Sequence, residues 1–137
     1  MQITRSSLDT TPGPADWFTG AVYLDPVAAP TEQSRVSATA VHFTPGARTA
    51  WHSHAVGQTL YITEGTALIG TRDGKIIVAR PGQVVYTPPT GWPGATAADF
   101  MAHIALYEGT ADGDGATWLE HVTDEQYQAA AAAITTV

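Results

Sequence analysis

The chain has 137 residues, of which 44% are hydrophobic and 14% charged; this suits one compact domain and argues against disorder. Its 6 Lys and Arg against 13 Asp and Glu give a formal net charge of −7, which disfavours nucleic acid and anionic membrane surfaces as partners. Because cysteine is absent, disulfides, thiolate zinc sites and thiol nucleophiles are excluded. No apolar leader and no apolar run of membrane-spanning length is present, so we expect a soluble, cytoplasmic protein.

Short strands separated by glycine and proline are predicted along most of the chain. The first 35 residues form an irregular, proline-rich arm that contains an early strand over residues 17–24. Further strands are predicted at residues 36–43, 49–54, 58–69, 75–79, 83–87 and 100–108. The segment 88–94 holds three prolines and two glycines, so we expect a loop there. This pattern predicts an all-β fold, a β-barrel or a jelly roll of two sheets.

A helical pattern occurs at the C-terminal end of the sequence. Thr123 and Gln126 have the spacing of a capping box, and the alanine-rich run 129–133 follows them. One short helix is therefore expected after an acidic connection. We predict a single domain in three parts, namely an arm with the first strand (1–35), a barrel core (36–109), and an acidic loop with the C-terminal helix (110–137).

Two histidines in an extended segment are the strongest candidates for chemistry. Residues i and i+2 of a strand point to the same side, so His52 and His54 present their imidazoles together. Gln58 begins the next predicted strand and brings an amide oxygen to the same place. Two imidazole nitrogens and an amide oxygen suit a divalent transition metal such as Mn, Fe, Co, Ni or Zn. The alternative is a chance His-x-His pair on a solvated strand edge.

The residues around this pair resemble the cupin superfamily. Two motif-like patterns are present, Gly46-x5-His52-x-His54-x3-Gln58-x6-Gly65 and Pro81-Gly82-x5-Pro88, with Gln58 where Glu is commonest in the first cupin motif. Segments 13–20, 43–52, 57–60 and 118–127 are similar to small single-domain bacterial cupins, a group that includes manganese-dependent hydroxynitrile lyases. The resemblance implies the cupin double-stranded β-helix, which is a jelly-roll barrel, with a short C-terminal helix.

The resemblance also implies a set of metal ligands, and the sequence departs from it. His52, His54 and Gln58 fall on three ligand positions of the lyases, but the fourth, a histidine after the second motif's Pro-Gly turn, is missing. Spacing places Pro93 at that position, and proline offers no donor. Three outcomes stay open: a three-ligand site completed by water, His103 as a replacement ligand, or a site that binds metal weakly or not at all.

Further pocket residues are expected on the strands around the metal site. His103 and Tyr107 share the inward face of the strand 100–108. The lyases carry a histidine at the place matching His103, which implies that it moves a proton, and the Tyr107 hydroxyl could orient a carbonyl oxygen. The alternative for both is an ordinary buried core residue. The pocket walls are expected to include Thr39, Val41, Tyr86 and Trp92, with Trp92 covering the mouth.

Three functions are compatible with these residues. The first is a metal-dependent, hydroxynitrile lyase-like cupin that acts on a small carbonyl or hydroxyl compound. The second is a metal-free or weak-metal cupin that binds a small molecule or acts as an acid–base isomerase or cyclase. The third is an Fe or Mn dioxygenase-type cupin. Because jelly rolls leave open sheet edges that a neighbour's arm can cover, we also expect a homodimer or larger assembly that uses residues 14–30.

Overall fold

The computed structural model describes residues 1–87, 89–110 and 115–136, and residues 6, 7, 135 and 136 by their backbone alone. Two 3₁₀ helices lie at Ser6–Asp9 and Ala133–Thr136, and the helix α1 is Asp124–Ala132. The strands are β1 (Thr11–Pro12), β2 (Phe18–Thr19), β3 (Val22–Ala28), β4 (Val36–Phe43), β5 (Arg48–Thr49), β6 (His52–His54), β7 (Gln58–Glu64), β8 (Ala67–Thr71), β9 (Ile76–Ala79), β10 (Val84–Thr87), β11 (Thr90–Ala95), β12 (Met101–Glu108) and β13 (Ala116–Trp118). Within the described ranges, no helix has the length and apolar character needed to cross a bilayer.

The strands form two sheets that enclose an apolar core. The first sheet has six strands in the order β1-β3-β4-β12-β7-β10, and the second has the order β13-β6-β11-β5-β2, extended through β8 and β9. Phe43, Leu60 and Ile62 of the first sheet pack with Ile69 and Ala95 of the second. The all-β, jelly-roll prediction is therefore confirmed.

The predicted strand over residues 58–69 is divided in the structure. Gly65 has a φ of +71°, and a Cβ there would lie 1.9 Å from the carbonyl oxygen of Phe100. A left-handed residue in such close contact breaks the strand, so β7 stays in the first sheet while β8 enters the second. The early strand over residues 17–24 is likewise divided into β2 and β3, and residues 49–54 into β5 and β6.

The expectation of a loop over residues 88–94 is wrong for most of that segment. Its residues from Thr90 onward belong to β11, which pairs with β5, β6 and β8. The glycines allow close packing here: a Cβ on Gly91 would lie 2.9 Å from the Gly70 carbonyl oxygen, and one on Gly94 2.8 Å from Arg48 Cβ. A composition that is typical of turns therefore marks a tightly packed strand.

The C-terminal helix begins at the predicted capping box. The Gln126 N–H donates to Thr123 Oγ1 at 3.1 Å, and the Thr123 N–H donates to Gln126 Oε1 at 2.9 Å. The helix packs on the outer face of the second sheet. We call the apolar residues at this contact the helix cluster: Trp51, Leu68, Trp92, Val122, Tyr127 and Ala130.

The N-terminal arm contributes to the core of its own chain. Phe18 and Val22 are buried between the sheets, whereas Tyr23 and Val27 are 45% and 50% exposed. Apolar side chains therefore remain available on this arm for contact with a neighbour. Assembly through residues 14–30 and the three-part division of the domain both stay predictions.

Candidate metal and substrate site

A cavity of about 210 Å³ opens between the two sheets. We call it the histidine cavity. Its walls are formed by Trp17, Phe18, Leu24, Thr39, Val41, Phe43, Thr49, His52, His54, Gln58, Pro93, His103, Ala105, Tyr107, Ala116 and Trp118. The structure thus brings together most residues singled out from the sequence: the His-x-His pair, the glutamine, the strand histidine and tyrosine, and two of the four wall residues.

His52 and His54 lie at the two ends of β6, and both side chains are buried. The Nδ1 of His52 lies 3.0 Å from the carbonyl oxygen of Ala50, and the Nδ1 of His54 lies 3.2 Å from that of Gly115. A carbonyl oxygen can only accept, so in both rings Nδ1–H is the donor. In the neutral rings, Nε2 therefore keeps a free lone pair, which is the arrangement found in metal-ligating histidines.

Burial holds both imidazoles in their neutral form near pH 7. Loss of hydration lowers the pKa of His52 below its ordinary 6.5. Loss of hydration, followed by the charge of His52, lowers the pKa of His54 to about 4. A metal ligand has to be deprotonated, so these environments favour metal binding at neutral pH.

Gln58 supplies the third donor beside the two imidazoles. The Nε2 of Gln58 lies 3.5 Å from the Nε2 of His52. A 180° flip of the side-chain amide exchanges its nitrogen and oxygen and places Oε1 beside His52 Nε2 instead. In the described part of the chain, no group of three or more His, Cys, Asp or Glu residues could hold a metal ion. Two imidazole nitrogens and one amide oxygen, the donors brought together here, are ligand types that suit a divalent transition metal.

Pro93 lies in the wall of the same cavity. It belongs to β11, two residues beyond Gly91, which pairs with His52. The position that the resemblance assigns to a fourth ligand therefore faces the cavity, but its side chain is apolar.

His103 and Tyr107 enter the cavity from β12. Among the described residues, neither ring nitrogen of His103 has a hydrogen-bond partner, although the side chain is fully buried. Its ring centroid lies 5.3 Å from that of Phe43. Burial lowers the pKa of His103 to about 3, so the ring is neutral. The ring centroids of Tyr107 and His54 lie 4.5 Å apart. Buried polar atoms nearly always have partners, so a water molecule or a bound ligand is expected beside the His103 ring.

Sequence reasoning missed Thr49. Its Oγ1 is buried in the cavity wall and, like the His103 nitrogens, has no hydrogen-bond partner among the described residues. In one continuous strand over residues 49–54, Thr49 would point away from His52. The chain is irregular at Ala50 and Trp51, between β5 and β6, and this restores both side chains to the same cavity.

The predictions for Tyr86 and Trp92 are wrong. Tyr86 shares its face of β10 with Val84 and is 64% exposed, while the intervening Val85 pairs with the buried Leu60. Its hydroxyl donates to the carbonyl oxygen of Val56 at 3.2 Å.

Trp92 precedes Pro93 on β11 and therefore points to the opposite face of the second sheet. There its ring lies 6.3 Å from that of Tyr127 in the helix cluster, away from the cavity mouth. Reading the segment as a loop concealed this alternation.

A jelly roll with a histidine pair, a glutamine and a buried strand histidine in its cavity defines the cupin class. The model of the Cupin_2 family, described as a cupin domain, matches residues 39–97. The chain is 44% identical over 131 residues to an (R)-mandelonitrile lyase of Granulicella tundricola, covering 93% of this chain and 99% of that protein. The chain therefore belongs to the cupin family.

Solved structures agree with this assignment. A cupin-like protein from Thermotoga maritima is 35% identical, with a TM-score of 0.81 over 88% of this chain and 92% of the other. A polyketide cyclase from Streptomyces resistomycificus has a TM-score of 0.69 over 93% of this chain and 91% of its own, at 13% identity. The second likeness concerns the fold alone.

Proposed function

We propose that this cupin is a lyase that cleaves or forms a small cyanohydrin, the adduct of cyanide and an aldehyde. The observation that carries the proposal is His103, whose two ring nitrogens lie in the histidine cavity without a hydrogen-bond partner in the described part of the chain. The similarity to an (R)-mandelonitrile lyase over nearly the whole chain supports the same reaction class. The location of the protein in the cytoplasm stays a prediction.

The size and lining of the cavity support a small, largely apolar substrate. Its volume is about 210 Å³, whereas a dry cavity of about 150 Å³ accommodates benzene. The walls are mostly aromatic and aliphatic, with a few polar atoms that lack partners. A compound with one ring or a short chain and a single hydroxyl or carbonyl group matches this composition.

His52, His54 and Gln58 are the residues that would hold a divalent metal ion. The ion, when bound, supplies Lewis-acid stabilisation of negative charge on the substrate. Manganese is the metal that the resemblance to the lyases implies, and Fe, Co, Ni and Zn suit the same donors. Proton transfer is left to the other residues of the cavity.

His103 is proposed as the proton carrier. In cyanohydrin cleavage its neutral ring accepts the hydroxyl proton, the carbonyl double bond forms, and cyanide leaves with the electrons of the carbon–carbon bond. The proton then passes from His103 to cyanide, which gives hydrogen cyanide and the aldehyde. Burial lowers the pKa of the ring to about 3, so the imidazole is neutral at the start of each cycle and, once protonated, readily returns the proton to cyanide. The same burial makes the ring a weak base, so the proposal requires that its pKa rise when the substrate hydroxyl is bound beside it.

Thr49 and Tyr107 are proposed to orient the substrate. The Thr49 hydroxyl can both donate and accept, and substrate oxygen or nitrogen would supply the partner it lacks. Tyr107 also lines the cavity, and its ring lies against that of His54. Together these groups would fix the reacting atoms while the apolar wall excludes water.

A second candidate is a cupin that binds a small molecule with little or no metal. It is favoured by the cavity wall at Pro93, which provides no fourth donor, and by the lack of a group of three acidic or histidine ligands in the described residues. An isomerase or cyclase would use His103 in the same way, as a neutral base. A dioxygenase-type cupin would instead need oxygen for turnover.

Metal analysis and cyanohydrin cleavage distinguish these functions. We expect protein purified without chelator to contain a divalent transition metal, His52→Ala to lose it, and both oxygen-free and aerated wild-type protein to cleave mandelonitrile. Metal-free protein without cleavage would support the binding protein, and oxygen-dependent turnover the dioxygenase. In Pro93→His, a fourth donor should raise metal affinity by about tenfold.

A further inference from the structure

Three rings are stacked from the protein surface to the histidine cavity. Trp17 and Trp118 are parallel within 5° at a centroid distance of 4.8 Å, and the Trp118 ring lies 4.5 Å from that of His52 at 28°. Trp17 is 37% exposed, whereas His52 is buried. Both faces of the Trp118 ring are therefore occupied, one by tryptophan and the other by imidazole.

A ring with both faces covered cannot serve as a stacking platform for a ligand. Trp118 nevertheless lines the cavity, so a ligand can meet only its edge. Trp118 also packs against Phe18 and the apolar core, which fixes its own ring, and its face against His52 suits it to hold the plane of that imidazole. Stacked aromatic pairs contribute beyond their buried area and have defined relative orientations, which makes such a contact suitable for that role.

The same short strand also contacts the second histidine. In β13, Trp118 pairs with His52 and Ala116 pairs with His54. The carbonyl oxygen of Gly115, directly before the strand, accepts the Nδ1–H of His54. The segment from Gly115 to Trp118 thus contacts both imidazoles: the Trp118 ring lies against His52, and the Gly115 carbonyl oxygen accepts from His54.

Contacts outside the cavity hold β13 in this position. The Leu119 N–H donates to the carbonyl oxygen of Trp51 at 2.8 Å, and the Trp51 N–H donates to that of Glu120 at 2.9 Å. Glu120 forms an ion pair with Arg72. These bonds fix the backbone beyond Trp118 independently of the stacked rings.

We propose that Trp118 is a positioning residue that holds the His52 ring with Nε2 directed to Gln58, with Trp17 as its outer support. This inference deepens the proposed function, because it concerns a residue proposed as a metal ligand, but the orientation of His52 does not depend on turnover. Outer contacts that orient a ligating histidine change metal affinity by about 10-fold to 100-fold.

The first measurement is the tautomer of His52 in metal-free protein, read from long-range ¹H–¹⁵N correlations of the imidazole rings. We expect the Nδ1–H form in the wild type and in Trp118→Phe, where a stacked ring keeps the His52 imidazole in line with the Ala50 carbonyl oxygen. In Trp118→Leu the imidazole is free to turn away from that carbonyl, so we expect a mixture of tautomers. His54 also donates to a backbone carbonyl oxygen, but Trp118 is stacked on the His52 ring and not on His54, so His54 should keep its tautomer in all three proteins. Leu119→Ala is the matched control, since it shortens the neighbouring side chain without touching the stack.

The second measurement is the dissociation constant for Co²⁺ by titration calorimetry. It should rise at least about tenfold in Trp118→Leu, less in Trp17→Leu, and remain close to the wild-type value in Trp118→Phe and Leu119→Ala. Thermal unfolding of each variant identifies a change that merely unfolds the protein.

An unchanged His52 tautomer in folded Trp118→Leu would overturn the inference, whatever the activity. If Trp118→Phe shifts the tautomer as much as Trp118→Leu, the stacked ring is not what holds His52 and the inference fails as well. If Trp118→Leu shifts the His52 tautomer but the wild-type protein binds no Co²⁺, the positioning role is upheld and the metal-dependent lyase is contradicted. The two proposals can therefore fail separately.

Discussion

The two sides of the second sheet both carry aromatic side chains, but they differ in whether their buried polar groups have hydrogen-bond partners. On the outer face, the Tyr127 hydroxyl donates to the Ala95 carbonyl oxygen at 2.8 Å, and the Trp51 indole donates to Gln126 Oε1 at 3.3 Å. On the inner side, Thr49 of this sheet and His103 of the first sheet, across the cavity, are buried without hydrogen-bond partners among the described residues. The polar groups of the helix cluster are paired within the chain, whereas those of the histidine cavity remain available to water or a ligand.

The buried arginine of the outer face, Arg48, also has its hydrogen-bond partners within the chain. Arg48 Nη2 donates to the Val122 carbonyl oxygen at 3.0 Å and to Asp124 at 2.7 Å, and its guanidinium lies 4.7 Å from the Tyr127 ring centroid. Thr49, the next residue along β5, points into the cavity. Arg48 therefore contributes to stability, and Thr49 to the candidate site. A substitution at Arg48 should mainly lower the free energy of unfolding, and one at Thr49 should mainly lower turnover.

The largest effect is expected for His103→Phe. Removal of the proposed proton carrier should lower the rate of cyanohydrin cleavage by about 10² to 10⁴. The free energy of unfolding should stay equal or rise, because an aromatic ring of similar shape replaces two polar atoms without partners. Steady-state kinetics and urea unfolding of the same preparations test this, and a marked loss of stability with retained turnover would reverse the assignment.

Trp92→Ala should produce the opposite result. Deleting a fully buried indole from the helix cluster leaves a cavity beside Tyr127 and should lower the free energy of unfolding by about 3–5 kcal/mol. Turnover per folded molecule should remain close to that of the wild type, since Trp92 points away from the histidine cavity. Chemical unfolding and activity at low temperature provide the comparison, and Trp92→Phe is the milder control.

Acid should destabilise the metal-free protein through the buried histidines of the histidine cavity. The pKa values of His54 and His103 lie near 4 and 3, below the ordinary 6.5, so below pH 6.5 the unfolded chain binds protons that the folded chain does not. The unfolding equilibrium constant should increase by up to about tenfold per pH unit for each histidine, until the pH reaches its folded-state pKa. In His103→Phe the decline of melting temperature between pH 6.5 and 4 should be shallower; equal declines would show that burial of His103 contributes little.

The smallest effect is expected for Thr49→Val. The substitution removes a hydroxyl and keeps the shape, so turnover should fall by about fivefold to tenfold through the loss of one hydrogen bond to the substrate. Stability should not decrease, since that hydroxyl has no hydrogen-bond partner among the residues that the structure describes. Thr44→Val, which removes an exposed hydroxyl that donates to the Ala21 carbonyl oxygen, is a control far from the cavity chemistry.

Much of the fold was predictable because its signals are local. The capping box at Thr123 specifies the start of the helix by itself, and alternation within β12 places His103 and Tyr107 on one face. The motif spacing around His52 indicated both the fold and the cavity. These signals need no knowledge of which strands pair.

The errors arose where long-range packing decides the local structure. Gly91 and Gly94 look like turn residues, and their role in close strand packing becomes visible only once Gly70 and Arg48 are their neighbours. The direction of Thr49 depends on the irregular residues between β5 and β6. Side-chain alternation can be followed only within a strand whose limits are known, and tertiary contacts set those limits.

The residue at position 93 of the cavity wall can change from proline to histidine by a single base substitution. Some codons for proline and histidine differ by a single base, as in CCC and CAC. The residue that faces the cavity from β11 can therefore change from an inert ring to a nitrogen donor in one mutational step, with no rearrangement of reading frame or loop length. A lineage that carries this chain has ready access to a site with a fourth donor, and a lineage with that donor can lose it as easily.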